Sequence, residues 1–155
     1  MTKLTIENTE LNNVIKITPP TIFNDVRGSY IETYNEKIYK SNGIKIKFIQ
    51  DDISTSQKNV LRGIHGDNKT WKLVSCLYGT FYLVIINWNK NSNEYKKWIS
   101  FNMDANNPFQ MVRTRVLIAV LAAKKANPGQ PVRWIPRLNQ PALATIPCFR
   151  TCRRT

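Results

Sequence analysis

Between Trp71 and Phe101 the chain runs WKLVSCL, YGT, FYLVIINW, NKNSN, YKKWISF, and this rhythm limits the fold more than any other feature. Apolar runs of seven or eight residues alternate with short turn-forming stretches. Such punctuation is how successive antiparallel strands read, and runs this short do not sustain the 3.6-residue period of a long helix. Upstream, KIKFIQ (45–50), bounded by Asn42-Gly43, reads as a further strand. The expectation is a mainly β protein.

The rhythm stops near residue 102, and so does the composition that carries it. Up to Asn102 there is no alanine, and there are 14 Ile, 13 Asn and 12 Lys against 2 Arg. From Met103 onward there are 7 Ala, 7 Arg and 2 Lys, with 3 Ile. Ile, Asn and Lys use A/T-rich codons, whereas Ala, Arg and Pro use G/C-rich ones. The shift reads as out-of-frame or foreign coding sequence, the alternative being a second module of different composition. Residues 1–102 are therefore expected to form the N-terminal part of one domain, and 103–155 an atypical basic tail, poorly packed. Within that tail MVRTRVLIAVLAAKKA reads as one short helix ended by Asn127-Pro128-Gly129.

Several function classes are weakened by composition. The net charge of +13 suggests a nucleic-acid footprint, but +8 of it lies in residues 103–155. Aromatics for base stacking are scarce there (Phe109, Trp134 and Phe149), so nucleic acid is not expected as a partner. The longest apolar run, VLIAVLAA (116–123), has eight residues, and a bilayer needs about 20. The N-terminus, MTKLTIENTELNN, lacks the apolar core of a signal peptide, so a cytoplasmic location is expected. Cys76, Cys148 and Cys152 form no metal-ligand pattern with the single histidine and read as unpaired thiols.

That histidine, His65, sits in NVLRGIHGDNKTWKLV, three residues after Arg62 and seven before Lys72. Imidazole can take a proton near neutral pH, and the flanking cations are expected to keep it neutral. If GDNKT is a turn, His65 and Lys72 reach one cavity. A base beside a cation suits proton abstraction next to a carbonyl, with the cation stabilising the oxyanion that forms. Two upstream segments add polar groups: FNDVRGSYIE (23–32) supplies Arg27 and Glu32, and FIQDDISTS (48–56) supplies Gln50, Asp51, Asp52, Ser54 and Ser56. Each alone is an ordinary polar turn.

Together, FNDVRGSYIE, FIQDDISTS, VLRGIH and WKLV follow one another in an order and spacing that closely resemble the dTDP-4-dehydrorhamnose 3,5-epimerase family, over about residues 15–101. The resemblance implies a cupin-like jelly roll, incomplete at its C-terminal side, and a nucleotide-sugar isomerase of surface-polysaccharide (lipopolysaccharide or capsule) biosynthesis. It implies loss of a proton at C3, C5 or both of a sugar bearing a C4 ketone, then reprotonation from the opposite face, with no cofactor and no metal. His65 would be the base and Lys72 the enolate-stabilising cation. Arg27, Glu32, Gln50, Asp51, Asp52 and Arg62 would contact a nucleotide-diphospho-4-keto-6-deoxy sugar. The implied assembly is a homodimer with exchanged strands.

Two departures qualify the likeness. The short His-to-Lys interval is nearer in look to relatives acting on GDP-linked 4-keto-6-deoxyheptoses, and Asp52 stands where many relatives carry Asn. After Tyr95 there is no tyrosine to act as opposite-face acid, after His65 no second histidine, and after Glu94 only Asp104 as an acid. A jelly roll without its later strands is expected to be destabilised and of low activity. Two other readings are a non-catalytic nucleotide-sugar or anion-binding module and a cupin sugar-nucleotide 3,4-ketoisomerase, against which FNDVRGSYIE argues.

Overall fold

The computed structural model describes residues 4–19, 22–57, 59–67, 70–108, 110–113, 116–122 and 146–153. Among the described residues, twelve strands and one short helix follow one another as β1 (Thr5–Asn8), β2 (Ile15–Thr18), β3 (Ile22–Asp25), β4 (Gly28–Ile31), α1 (Glu36–Ser41), β5 (Gln50–Ile53), β6 (Val60–Asp67), β7 (Thr70–Tyr78), β8 (Thr80–Asn87), β9 (Trp98–Asp104), β10 (Gln110–Arg113), β11 (Val116–Ala122) and β12 (Ile146–Arg153). They form a six-stranded sheet in the order β1-β2-β10-β7-β12-β5, a four-stranded sheet in the order β6-β11-β8-β9, and the separate hairpin β3-β4. All pairings are antiparallel.

The alternating pattern of β8 explains how the two large sheets pack. Phe81, Leu83 and Ile85 are buried on one face, where they meet Val74 and Cys76 of β7, Met103 of β9, and Leu11 and Val14 from the β1–β2 turn. Burying one such aliphatic or aromatic side chain stabilises the fold by roughly 1.5–3 kcal/mol, so this inter-sheet layer is the main driving force for closure. The opposite face of β7 carries Leu73, which packs with Leu4, Ile17, Ile44 and Tyr39 of α1 in a second cluster. The face of a β7 residue is therefore read from its parity: Lys72 shares the inter-sheet face with Val74 and Cys76.

Two expectations about secondary structure are corrected. KIKFIQ is not a strand as a whole. Only Gln50 enters β5, while residues 44–49 run outside any ladder. Ile46 and Phe48 pack instead on the second cluster, with the Phe48 ring edge-on to Tyr34 at 5.4 Å. The segment MVRTRVLIAVLAAKKA contributes β10 and β11 rather than a helix, because β11 is paired on both sides, by β6 and by β8. Residues 123–145, including the predicted helix end at Asn127-Pro128-Gly129, lie outside the described residues.

Helix α1 was not anticipated. Asn35 caps its start, its side-chain oxygen accepting from the Ile38 N–H at 3.3 Å, and Gly43, with φ of 90°, follows its last turn. The β8–β9 connection is also wired internally: the buried Asn87 bonds through its backbone to Lys96 and Lys97 and through its side chain to Asn89 and Ser92. The buried Glu94 accepts from the Asn12 N–H at 3.1 Å, tying this loop to the β1–β2 turn. No helix among the described residues is long and apolar enough to cross a membrane.

Candidate active site

Strands β6 and β7 belong to different sheets, so the chain crosses the sandwich between Asp67 and Thr70. His65 and Lys72 each stand two residues from that crossing, which brings them to the same end of the molecule. The facing of His65 follows from register. His65 and Ile85 are both opposed to Ile118, and directly opposed residues leave a sheet on the same face. Ile85 is an inter-sheet core residue, so His65 also looks into the inter-sheet space, from the wall opposite Lys72.

Arg62, three residues earlier, would face away from His65 in a regular strand. It does not, because β6 carries an extra residue: the pairs are His65 with Ile118 and Arg62 with Val120. The bulge lies at Gly63–Ile64, and Gly63 takes a φ of 134° that side-chain-bearing residues rarely adopt. Val120 is also opposed to the core residue Leu83, so Arg62 and His65 share the inner face. The Arg62 guanidinium is held on one side, its Nε donating to Ser56 Oγ at 2.7 Å and its Nη2 to the Thr55 carbonyl at 2.8 Å. Ser56, part of the polar FIQDDISTS segment, thus orients an arginine.

The register of β5 separates its three polar residues. Gln50 and Lys72 are both opposed to Thr151, and Asp52 and Val74 both to Phe149, which places Gln50 and Asp52 on the inter-sheet face. Asp51 and Leu73 are opposed to Arg150, which puts Asp51 on the other face. The Gln50 amide donates to both Asp52 carboxylate oxygens, at 3.0 and 3.1 Å. One end of the sandwich therefore gathers His65 and Arg62 on one wall and Lys72, Gln50 and Asp52 on the other. His65, Arg62, Gln50 and Asp52 are solvent-exposed, so this end is open.

Arg27 and Glu32 are not gathered there within one chain. Arg27 sits at the tip of the β3–β4 hairpin, and among the described residues these two strands make extensive contact only with each other. Its Nε donates to both Asp25 oxygens (3.3 and 3.2 Å), its Nη2 to Oδ2 at 2.7 Å, and its backbone N–H to Oδ1 at 2.8 Å. This pairing holds the Asp25 carboxyl below its usual range and raises Arg27. Asp25 escaped the sequence reading, although Asp two residues before Arg at a turn is the signal for it. Glu32 accepts from the Asn35 amide at 3.1 Å.

No group of three or more potential metal-ligating side chains occurs among the described residues. A concavity of about 560 Å³ lies at the far edge of the four-stranded sheet, between Glu10–Leu11 and Tyr95–Ile99, and none of the candidate residues lines it.

Two packed antiparallel sheets, with His65 on the inner face of one and Lys72 on the inner face of the other, make a jelly roll of the cupin type. The family model for dTDP-4-dehydrorhamnose 3,5-epimerase matches residues 8–117, and the chain belongs to that family. The epimerase of Salmonella typhimurium is 38% identical over 101 residues, covering 63% of this chain and 55% of the relative. That of Methanothermobacter thermautotrophicus is 36% identical over 101 residues, covering 64% and 54%. The chain thus spans just over half the length of these relatives. The fold is that of dTDP-6-deoxy-D-glucose-3,5-epimerase of Legionella pneumophila, solved with dTDP-4-keto-L-rhamnose, at a TM-score of 0.79 and 24% identity over 98% of this chain and 73% of that one. The epimerase of Elizabethkingia anophelis superimposes at 0.72, with 25% identity and coverages of 98% and 75%.

Proposed function

We propose that the chain acts on a nucleotide-diphospho-4-keto-6-deoxy sugar as a C3 and/or C5 epimerase. His65 removes the proton from the carbon beside the C4 ketone. The electron pair of that C–H bond moves onto the ketone oxygen, and the Lys72 ammonium stabilises the resulting enolate. Arg62, Gln50 and Asp52 hold the nucleotide and sugar, the arginine matching the diphosphate. The observation that carries this reading is the β6 bulge, because it turns His65 and Arg62 together into the space that Lys72 faces.

The place of Arg27 and Glu32 is a second subunit's site. The β3–β4 hairpin exposes Phe23 (66%), Val26 (104%) and Tyr30 (65%), apolar surface that a homodimer would cover by laying the hairpin across its partner. Reactions on nucleotide sugars of this kind serve rhamnose- or heptose-type surface polysaccharides and place the protein in the cytoplasm.

The test is incubation with thymidine-diphospho-4-keto-6-deoxyglucose in D2O, following deuterium at C3 and C5 by NMR. Exchange that falls about 10²–10⁴-fold in His65→Ala supports the reading. Exchange that survives this substitution overturns it, and binding without any exchange makes the chain a nucleotide-sugar-binding module instead.

A further inference from the structure

We infer that Asp25 is a positioning residue: it clamps Arg27 so that the free edge of the guanidinium is presented, already ordered, to the diphosphate of the nucleotide sugar. The inference rests on the substrate class proposed above.

First, the clamp is two-sided. One Asp25 oxygen accepts the Arg27 backbone N–H at 2.8 Å, closing the turn, while the carboxylate also takes Nε and Nη2. Second, the remaining donors form a usable fork. A guanidinium has five N–H groups, and binding along the Nε–Nη2 edge leaves the two on Nη1 and one on Nη2. That pair of nitrogens is spaced to meet two phosphate oxygens. Third, the clamp lies wholly inside the hairpin, whose side chains are open to solvent: the Arg27 side chain is 87% exposed and that of Asp25 is 50%. Arg27 is thereby oriented before it meets any site, in its own chain or in a partner.

An opposite reading is that Asp25 competes with the diphosphate and repels it. Magnitudes favour positioning. Ordering a long side chain only on binding weakens affinity about two- to tenfold. One carboxylate acting on one phosphate charge across about 7 Å of saline water weakens it less than about twofold.

The experiment is calorimetric titration of the full chain with thymidine diphosphate. Asp25→Asn keeps an oxygen to close the turn but loses the charge, and it is expected to weaken binding about three- to tenfold. Asp25→Glu keeps the charge and is expected to recover most of that loss. In an Arg27→Ala background Asp25→Asn is expected to change nothing. Equal or tighter binding by Asp25→Asn overturns the inference while leaving the substrate class intact, and so does an undiminished loss in the Arg27→Ala background. A pattern in which Asn binds normally and Glu does not would assign Asp25 to the turn alone and also overturn it. Failure of the unaltered chain to bind thymidine diphosphate overturns the substrate reading, and the inference with it.

Discussion

Replacing Gly63 with alanine probes the bulge on which the site depends. At a φ of 134°, Gly63 lies where an L side chain is strained by about 1–3 kcal/mol. The strand has two ways to respond. It can keep the bulge and carry the strain, which lowers the melting temperature by about 3–9 °C in a domain of this size. Or it can expel the extra residue and pair regularly with β11. A one-residue slip turns every later side chain to the other face, so Arg62 and His65 would no longer share the inner face. Either His65 or Arg62 then looks outward, and at least one of the proposed base and the proposed diphosphate ligand is lost. Expected outcomes are a melting temperature lowered within that range and substrate proton exchange in D2O reduced at least about tenfold. The two are read by calorimetry and by NMR on the same sample. Wild-type exchange together with a wild-type melting temperature in Gly63→Ala would refute both the bulge argument and the shared facing of Arg62 and His65.

Two further outcomes follow from facing and burial. Asp52→Ala is expected to weaken thymidine diphosphate-sugar binding about tenfold and Asp51→Ala to leave it within twofold, because register puts only Asp52 on the inter-sheet face; calorimetric titration showing equal losses would contradict that assignment. Burial pushes the Cys76 thiol from 9.0 up to about 11, with its S–H directed to the Gly79 carbonyl at 3.2 Å. The folded chain therefore keeps a proton that the unfolded chain releases above pH 9, so this contribution is intact below pH 9 and is lost as pH rises toward about 11. It amounts to about 1–2 kcal/mol once partial solvent screening is allowed for. Urea melts at pH 8 and pH 10.5 should show a smaller loss in Cys76→Ala than in the unaltered chain, and identical losses would count against it.

Strand β8 was legible in the sequence because its alternation has one cause, the inter-sheet core, whereas β7, buried on both faces at Leu73–Cys76, read as a short apolar run closed by a turn signal. KIKFIQ had the same alternation for a different cause. Ile44, Ile46 and Phe48 cover Tyr34, Tyr39 and Leu73 without joining a ladder, and periodicity cannot tell packing from pairing. Helix α1 is only six residues long, too short for a period, and its evidence lay in the flanking Asn35 and Gly43. VLIAVLAA misled in the other direction. A short run of aliphatic residues reads the same in a strand paired on both edges as in a buried helix, and alanine tips propensity toward the helix. Only the partners decide, and β6 and β8 are residues 60–67 and 80–87, far from it in sequence.

The same limit governs the site. The residue types proposed as a base, an oxyanion-stabilising cation and a diphosphate grip were visible in VLRGIH, WKLV and FIQDDISTS, and so was the family likeness. Their facing was not. A spacing of three between Arg62 and His65 puts them on opposite faces of any regular strand, and two adjacent aspartates offer no reason to prefer one. What resolves both is the number of residues each partner strand sets against them: two on β11 against three on β6, and alternate rungs of β12 against β5. Both partners come from residues beyond Asn102, where the composition changes. The inward facing of His65 and Arg62 is thus set by pairing with a segment whose own sequence carries none of the site's chemistry, so a substitution that displaced β11, such as proline at Ala119 between its two neighbours, should abolish exchange without touching a single substrate-binding group.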